Sequence, residues 1–232
     1  MTKVQPFALA IALATLTIGA ASAFSALDVI SKQDQAAAVR AALTQSAKSA
    51  VGKLGVVDGF LGDAEVKIPL PGKLQKADKL LRVLGLGQKA DDLITSMNRA
   101  AEAAVPEAKT LLVDSIRQMT VTDVAGVLTG GPDAATQFFK RTTSAKLTER
   151  FLPIVHKTTA KVDLAQRYND LGSQLAQYKL IDSKDANIDN YVAQKALDGL
   201  FLMMAKEEAS IRSNPLGQAS SLLQKVFGAL GH

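Results

Sequence analysis

The chain has 232 residues, 27 Lys and Arg against 22 Asp and Glu, a formal net charge of +5, and no Cys. Without thiols it has no disulfides, no thiolate metal sites, and no lipoprotein anchor, whose acylated residue is a Cys. Two stretches carry the positive charge: residues 67–89 hold six bases against Asp78, and residues 140–161 hold six against Glu149.

In chain order, Lys3 precedes an apolar run over residues 7–21, and Ala21-Ser22-Ala23 is followed by Phe24. This is the pattern of a secretory signal peptide, cut after Ala23. About fifteen apolar residues fall short of the roughly twenty that span a bilayer, so a cleaved leader is expected rather than a transmembrane anchor. The mature chain, residues 24–232, would then lie in the periplasm, long enough for one sizeable core.

Helical periodicity dominates the mature chain. Ser31, with Asp34 in the first turn, predicts a helix start. Val39, Ala42, Leu43, Ala47, Ala50, Val51 and Leu54 recur at helical spacing, and Gly55 stops the run. Residues 55–72 break the pattern with Gly55, Gly59, Gly62, Pro69, Pro71 and Gly72. Their segment Lys67-Ile68-Pro69-Leu70-Pro71 must be extended, because each proline disfavours helix in the residue before it. Long loops in compact domains are often functional.

Helices are predicted over residues 73–84 and 91–105, then from Pro106, where a missing N–H costs nothing. A short helix runs from Thr122-Asp123 to Gly130-Gly131, and another begins at Pro132-Asp133. Residues 147–180 predict one or two more, interrupted near Pro153 and Asp163. A long helix covers 190–213 and a final one 216–230. Residues 196–205 are apolar apart from Asp198, which marks a helix buried in the fold. The expectation is a single all-α domain, a multi-helix bundle with one long Pro/Gly-rich loop.

Few motifs carry chemistry. Gly85-Leu86-Gly87-Gln88-Lys89-Ala90 has the letters of a dinucleotide fingerprint, but a helix precedes it where a strand is required. Gly85 reads better as a helix-ending glycine. His156 and His232 are the only histidines; His156 is expected at the surface or at a cap. Asp182, Asp185, Asn187 and Asp189 lack the glycine and the closing Glu of a calcium loop. No metal or cofactor is expected.

A set of polar residues lies among apolar ones: Asn98, Arg99 and Glu102; Arg141 beside Phe138-Phe139; Asp198 before the apolar helix segment; and Glu207, Glu208 and Arg212 after it. Asn98 and Glu102 are one turn apart and share a face, within reach of Arg99. Charges near a core are normally paired, so interhelical salt bridges are the plainer expectation and a polar ligand cleft the functional one. Lys67, Lys73, Lys76, Lys79 and Arg82 form a basic face opposite a Leu face. Such a face could contact anionic envelope surfaces or membrane lipid, or simply be solvated. Nucleic acid is a poor partner outside the cytoplasm.

Several blocks resemble a known family. They include Lys67-Ile68-Pro69-Leu70-Pro71, Leu84-Gly85-Leu86-Gly87 with Ala90-Asp91-Asp92, and Ser96-Met97-Asn98-Arg99-Ala100-Ala101-Glu102. Ala134-Ala135-Thr136-Gln137-Phe138-Phe139, Ala196-Leu197-Asp198-Gly199-Leu200-Phe201, Glu207-Glu208 and Asn214-Pro215 also fit. Together they resemble the bacterial family called domain of unknown function 4197. The resemblance implies an exported, mostly helical protein and brings no catalytic residues. Gly217-Gln218 departs from the more basic stretch expected there. The functional expectation is an envelope binding or scaffolding protein whose partner is an anionic component, an apolar ligand, a lipid or a protein. The alternative is a hydrolytic enzyme using a carboxylate and arginine cluster between helices.

Overall fold

The computed structural model describes residues 29–83, 85, 87–177, 186–218 and 220–230. The candidate signal peptide, Leu84, Leu86, Leu180, Asp182, Asp185 and His232 lie outside these residues. The described residues are overwhelmingly helical and contain no strand.

Helix α1 (Lys32–Leu54) starts where Ser31 accepts the Asp34 amide hydrogen at 3.0 Å. Its Ala, Val and Leu stripe is buried, and Gly55 ends it. An irregular loop leads to α2 (Gly72–Val83), which closes at Gly85 with φ +76°, the left-handed backbone a glycine adopts freely. Helix α3 (Gly87–Ala104) begins earlier than its periodicity suggests. Pro106 opens a 3-10 turn, Val105–Glu107, that feeds α4 (Ala108–Arg117).

Thr120 caps α5 (Val121–Thr129) in a reciprocal capping box with Asp123. The helix predicted from Pro132-Asp133 and the first part of that predicted over 147–180 are one helix, α6 (Ala134–Thr159), continuous through Pro153, and the predicted break falls at Asp163 instead. The proline is tolerated because it lies on the solvent face; the Glu149 carbonyl it leaves unbonded is on an exposed residue, while Leu147, Phe151 and Val155 stay buried. Helix α7 (Asp163–Gln177) follows.

Asn187 caps α8 (Ile188–Ser213) by accepting the amide hydrogens of Asp189 and Asn190. Helix α8 is the centre of the fold, packed on α1, α3 and α6. The final predicted helix is split into a 3-10 turn, Pro215–Gly217, and α9 (Ser221–Gly228), because Asn214 turns its side chain onto the Gly217 amide. No described helix is long and apolar enough to cross a membrane.

One close approach fixes the loop against the centre. Phe60 is fully buried, and its ring lies where α8 has Gly199. A Cβ there would stand 2.7 Å from Phe60 Cε1. Only the absence of a side chain lets the loop seat on α8.

Candidate functional site

Helix α3 turns Asn98, Arg99 and Glu102 toward the irregular loop. Asn98 is fully buried. Its Oδ1 accepts the Ile68 amide hydrogen at 2.8 Å, and its Nδ2 donates to the Ile68 carbonyl at 2.9 Å and the Ile94 carbonyl at 2.8 Å. One turn along, Glu102 Oε1 accepts the amide hydrogens of Phe60 at 3.0 Å and Leu61 at 3.1 Å. Its other oxygen takes Arg99 Nη1 at 2.6 Å, while Arg99 Nη2 reaches Asp58 Oδ1 at 2.8 Å. Asp58 has φ +66°, unusual for a residue other than glycine. The Glu102 bond, then the Asp58 bond, raises the Arg99 pKa. Asn98 and Glu102 thus satisfy loop backbone that helix or sheet would otherwise satisfy.

The pinned loop forms one wall of a groove of about 450 Å³, closed by α2 and α3. Ala64, Pro69, Leu70 and Ile94 make it mainly apolar; Lys67, Gln75 and Asp78 supply its polar groups. The Tyr191 hydroxyl donates to the Pro69 carbonyl at 3.1 Å, tying the same segment to α8. Burial raises the Tyr191 pKa, which keeps that proton in place as the donor.

A second buried charge holds another junction. Glu208 accepts the amide hydrogens of Ala135 and Thr136, both at 3.0 Å, and the Thr136 hydroxyl at 3.1 Å. It therefore caps the start of α6, where the helix dipole favours an anion. Arg212, one turn further along α8, bonds Glu208 at 2.9 Å and donates to the Val127 carbonyl at 2.7 Å. Both side chains are less than a tenth exposed. One charged pair thus joins α5, α6 and α8.

The family model described as protein of unknown function (DUF4197) matches residues 29–228. The chain belongs to this family. No curated protein and no solved structure matches it.

The remaining polar residues of this DUF4197 chain do not converge. Glu207 bonds Lys53 and Ser49; burial opposes its ionisation, but these bonds carry its carboxyl below the usual range. Asp198 is exposed and meets Gln194 and Lys195 on its own helix. Arg141 is exposed, 3.6 Å from Asp123 and over the Phe138 ring. The candidate acids Glu102, Asp198, Glu207 and Glu208 thus each have separate partners.

Of the predicted basic face, Lys67 and Lys79 are exposed, and the side chains of Lys73 and Lys76 lie outside those described. Arg82 is engaged by Asp91 and Asp78. The bond to Asp91 is the main cause of its raised pKa, and Arg82 in turn lowers that of Asp91.

A pairing that the sequence did not signal joins His156 on α6 to Asp189 on α8. His156 Nδ1 lies 2.8 Å from Asp189 Oδ2, and Thr159 bonds the other oxygen of that buried carboxylate. The two residues are 33 positions apart, beyond any spacing rule. Asn187 and Asp189, read as helix-start residues, have that role.

Proposed function

We propose that this protein is an exported envelope-binding protein whose ligand site is the groove between the Pro-rich segment and α2. The observation that carries this reading is the double clamp of Asn98 on Ile68, which holds the groove wall in one position beside an exposed Lys67. A preformed apolar cleft with a few placed polar groups is the usual form of a small-molecule site. The occupant is an anionic amphiphile: its apolar part lies on Pro69, Leu70 and Ile94, and its acidic head meets Lys67.

The leader pattern in residues 1–23 supports a periplasmic setting, where anionic lipids and lipopolysaccharide are the abundant candidates. The basic excess over residues 67–89 supports the same sign of partner. Binding, rather than hydrolysis, is favoured because the candidate acids have separate partners.

The test is co-sedimentation with vesicles of phosphatidylglycerol and phosphatidylethanolamine, compared with vesicles of phosphatidylcholine. The protein is expected to sediment with the anionic vesicles, and Lys67→Glu with Lys79→Glu to abolish it. No sedimentation of the unaltered protein, or sedimentation unchanged by the two substitutions, would overturn this reading.

A further inference from the structure

A second cleft, remote in sequence from the groove, lies where α4, α5 and α6 meet. It encloses about 250 Å³, below the roughly 300–1,000 Å³ of sites for drug-sized ligands. Its capacity is that of one small ring or a short chain. Leu111 and Phe138 supply apolar wall, while the polar lining comes from all three helices.

The hydroxyl hydrogens of that lining are already committed. Thr142 donates its hydroxyl hydrogen to the Phe138 carbonyl at 2.9 Å. The 2.8 Å contact between Ser115 and Thr142 must then use the Ser115 hydrogen, which leaves the Ser115 oxygen only as an acceptor. Thr143 donates to the Phe139 carbonyl at 2.7 Å.

The acceptors, by contrast, have capacity to spare. Among the described residues, the Asp114 carboxylate meets Arg117 alone, at 3.6 Å. Asp123 uses Oδ2 for Thr120, while its Oδ1 stands 3.6 Å from Arg141. The bond from the Thr120 amide is the main cause of the lowered Asp123 pKa, so this carboxylate is ionised at neutral pH. Lys146 and the Gln118 amide are the remaining donors of the lining.

A cleft rich in acceptors and poor in donors is matched by a ligand that brings O–H and N–H hydrogens. The lining itself holds two carboxylates against one lysine; Arg117 and Arg141, each 3.6 Å from one carboxylate, are mostly exposed and not part of it, which favours a ligand without negative charge. We infer that the α4–α5–α6 cleft binds a small polyhydroxylated molecule without negative charge, of the size and class of an aminated monosaccharide. The apolar wall suits the C–H face of such a ring, and Asp114, Asp123 and Ser115 take its hydroxyl and ammonium hydrogens. This site does not depend on the groove reading and takes a ligand of opposite charge preference.

The test is an amide NMR titration of the full chain with glucosamine, with glucuronate as the anionic comparison. Glucosamine is expected to produce saturable shifts confined to residues 111–118, 123 and 138–146, and glucuronate none. Asp114→Asn removes one charged acceptor and is expected to weaken glucosamine binding about tenfold. Within the fold that substitution removes the surface contact with Arg117, and Gln118→Ala, at an exposed position of the lining, gives a second variant expected to weaken binding. Absent shifts, equal response to both sugars, or unchanged affinity in both variants would overturn the inference.

Discussion

Asn98 brackets Ile68: one side-chain amide accepts its N–H and donates to its C=O, at 2.8 and 2.9 Å, from thirty residues away. It does for one loop residue what a neighbouring strand would do. With Glu102 on Phe60 and Leu61, and Tyr191 on Pro69, it ties the backbone of an irregular segment to α3 and α8.

Replacing Asn98 by Ala leaves the Ile68 amide and carbonyl without their partner in a buried setting. Each such loss costs about 1–3 kcal/mol, so Asn98→Ala is expected to lower stability by roughly 2–6 kcal/mol in urea unfolding. Native-state hydrogen exchange should show the Ile68 amide losing protection more than the α8 core does. Asn98→Asp would bury a carboxylate against the Ile68 and Ile94 carbonyls and is expected to be at least as destabilising at neutral pH.

Much of the fold was legible because it follows local rules. Ser31 and Gly85 each act at a helix end through their own few neighbours, and the apolar stripe of α1 is buried as its spacing predicts, whereas α5 is capped by Thr120 and so starts slightly before the Thr122-Asp123 start its sequence suggests. The polar residues Asn98, Arg99 and Glu102 also stood out, since buried charge needs a partner. Their partner was hidden, because Asn98 and Glu102 bond backbone of residues 60, 61 and 68, and backbone leaves no side-chain signature. Likewise Pro153 reads as an interruption, and only its position on the solvent face shows that α6 continues.

Glu208 and Arg212 should behave as a unit. Removing one partner of a buried pair costs about 3–5 kcal/mol, so Arg212→Met is expected to destabilise strongly, leaving Glu208 uncompensated. Pairing it with Glu208→Gln removes the unpaired charge and should recover part of the loss. A double-mutant cycle by chemical denaturation measures the coupling, and additive effects would contradict the pairing.

The Thr120–Asp123 capping box ties stability to acid. The Asp123 pKa is lowered in the folded state, chiefly by the Thr120 amide. The associated stability is therefore present above the ordinary carboxylate range and is lost as pH falls through the lowered folded value. Below about pH 4 the native protein should lose stability more steeply than Asp123→Asn. Thr120→Ala should cost about 1 kcal/mol at neutral pH. Thermal unfolding scanned from pH 7 to pH 3 gives both readings.

Amide NMR with a short-chain phosphatidylglycerol, held below its micelle concentration, reports most directly on the groove beside the pinned loop. An anionic amphiphile seated there predicts saturable shifts at residues 64–70, 75–78 and 94, lost in Lys67→Glu. Shifts at other surfaces only, or no shifts at all, would contradict that occupant.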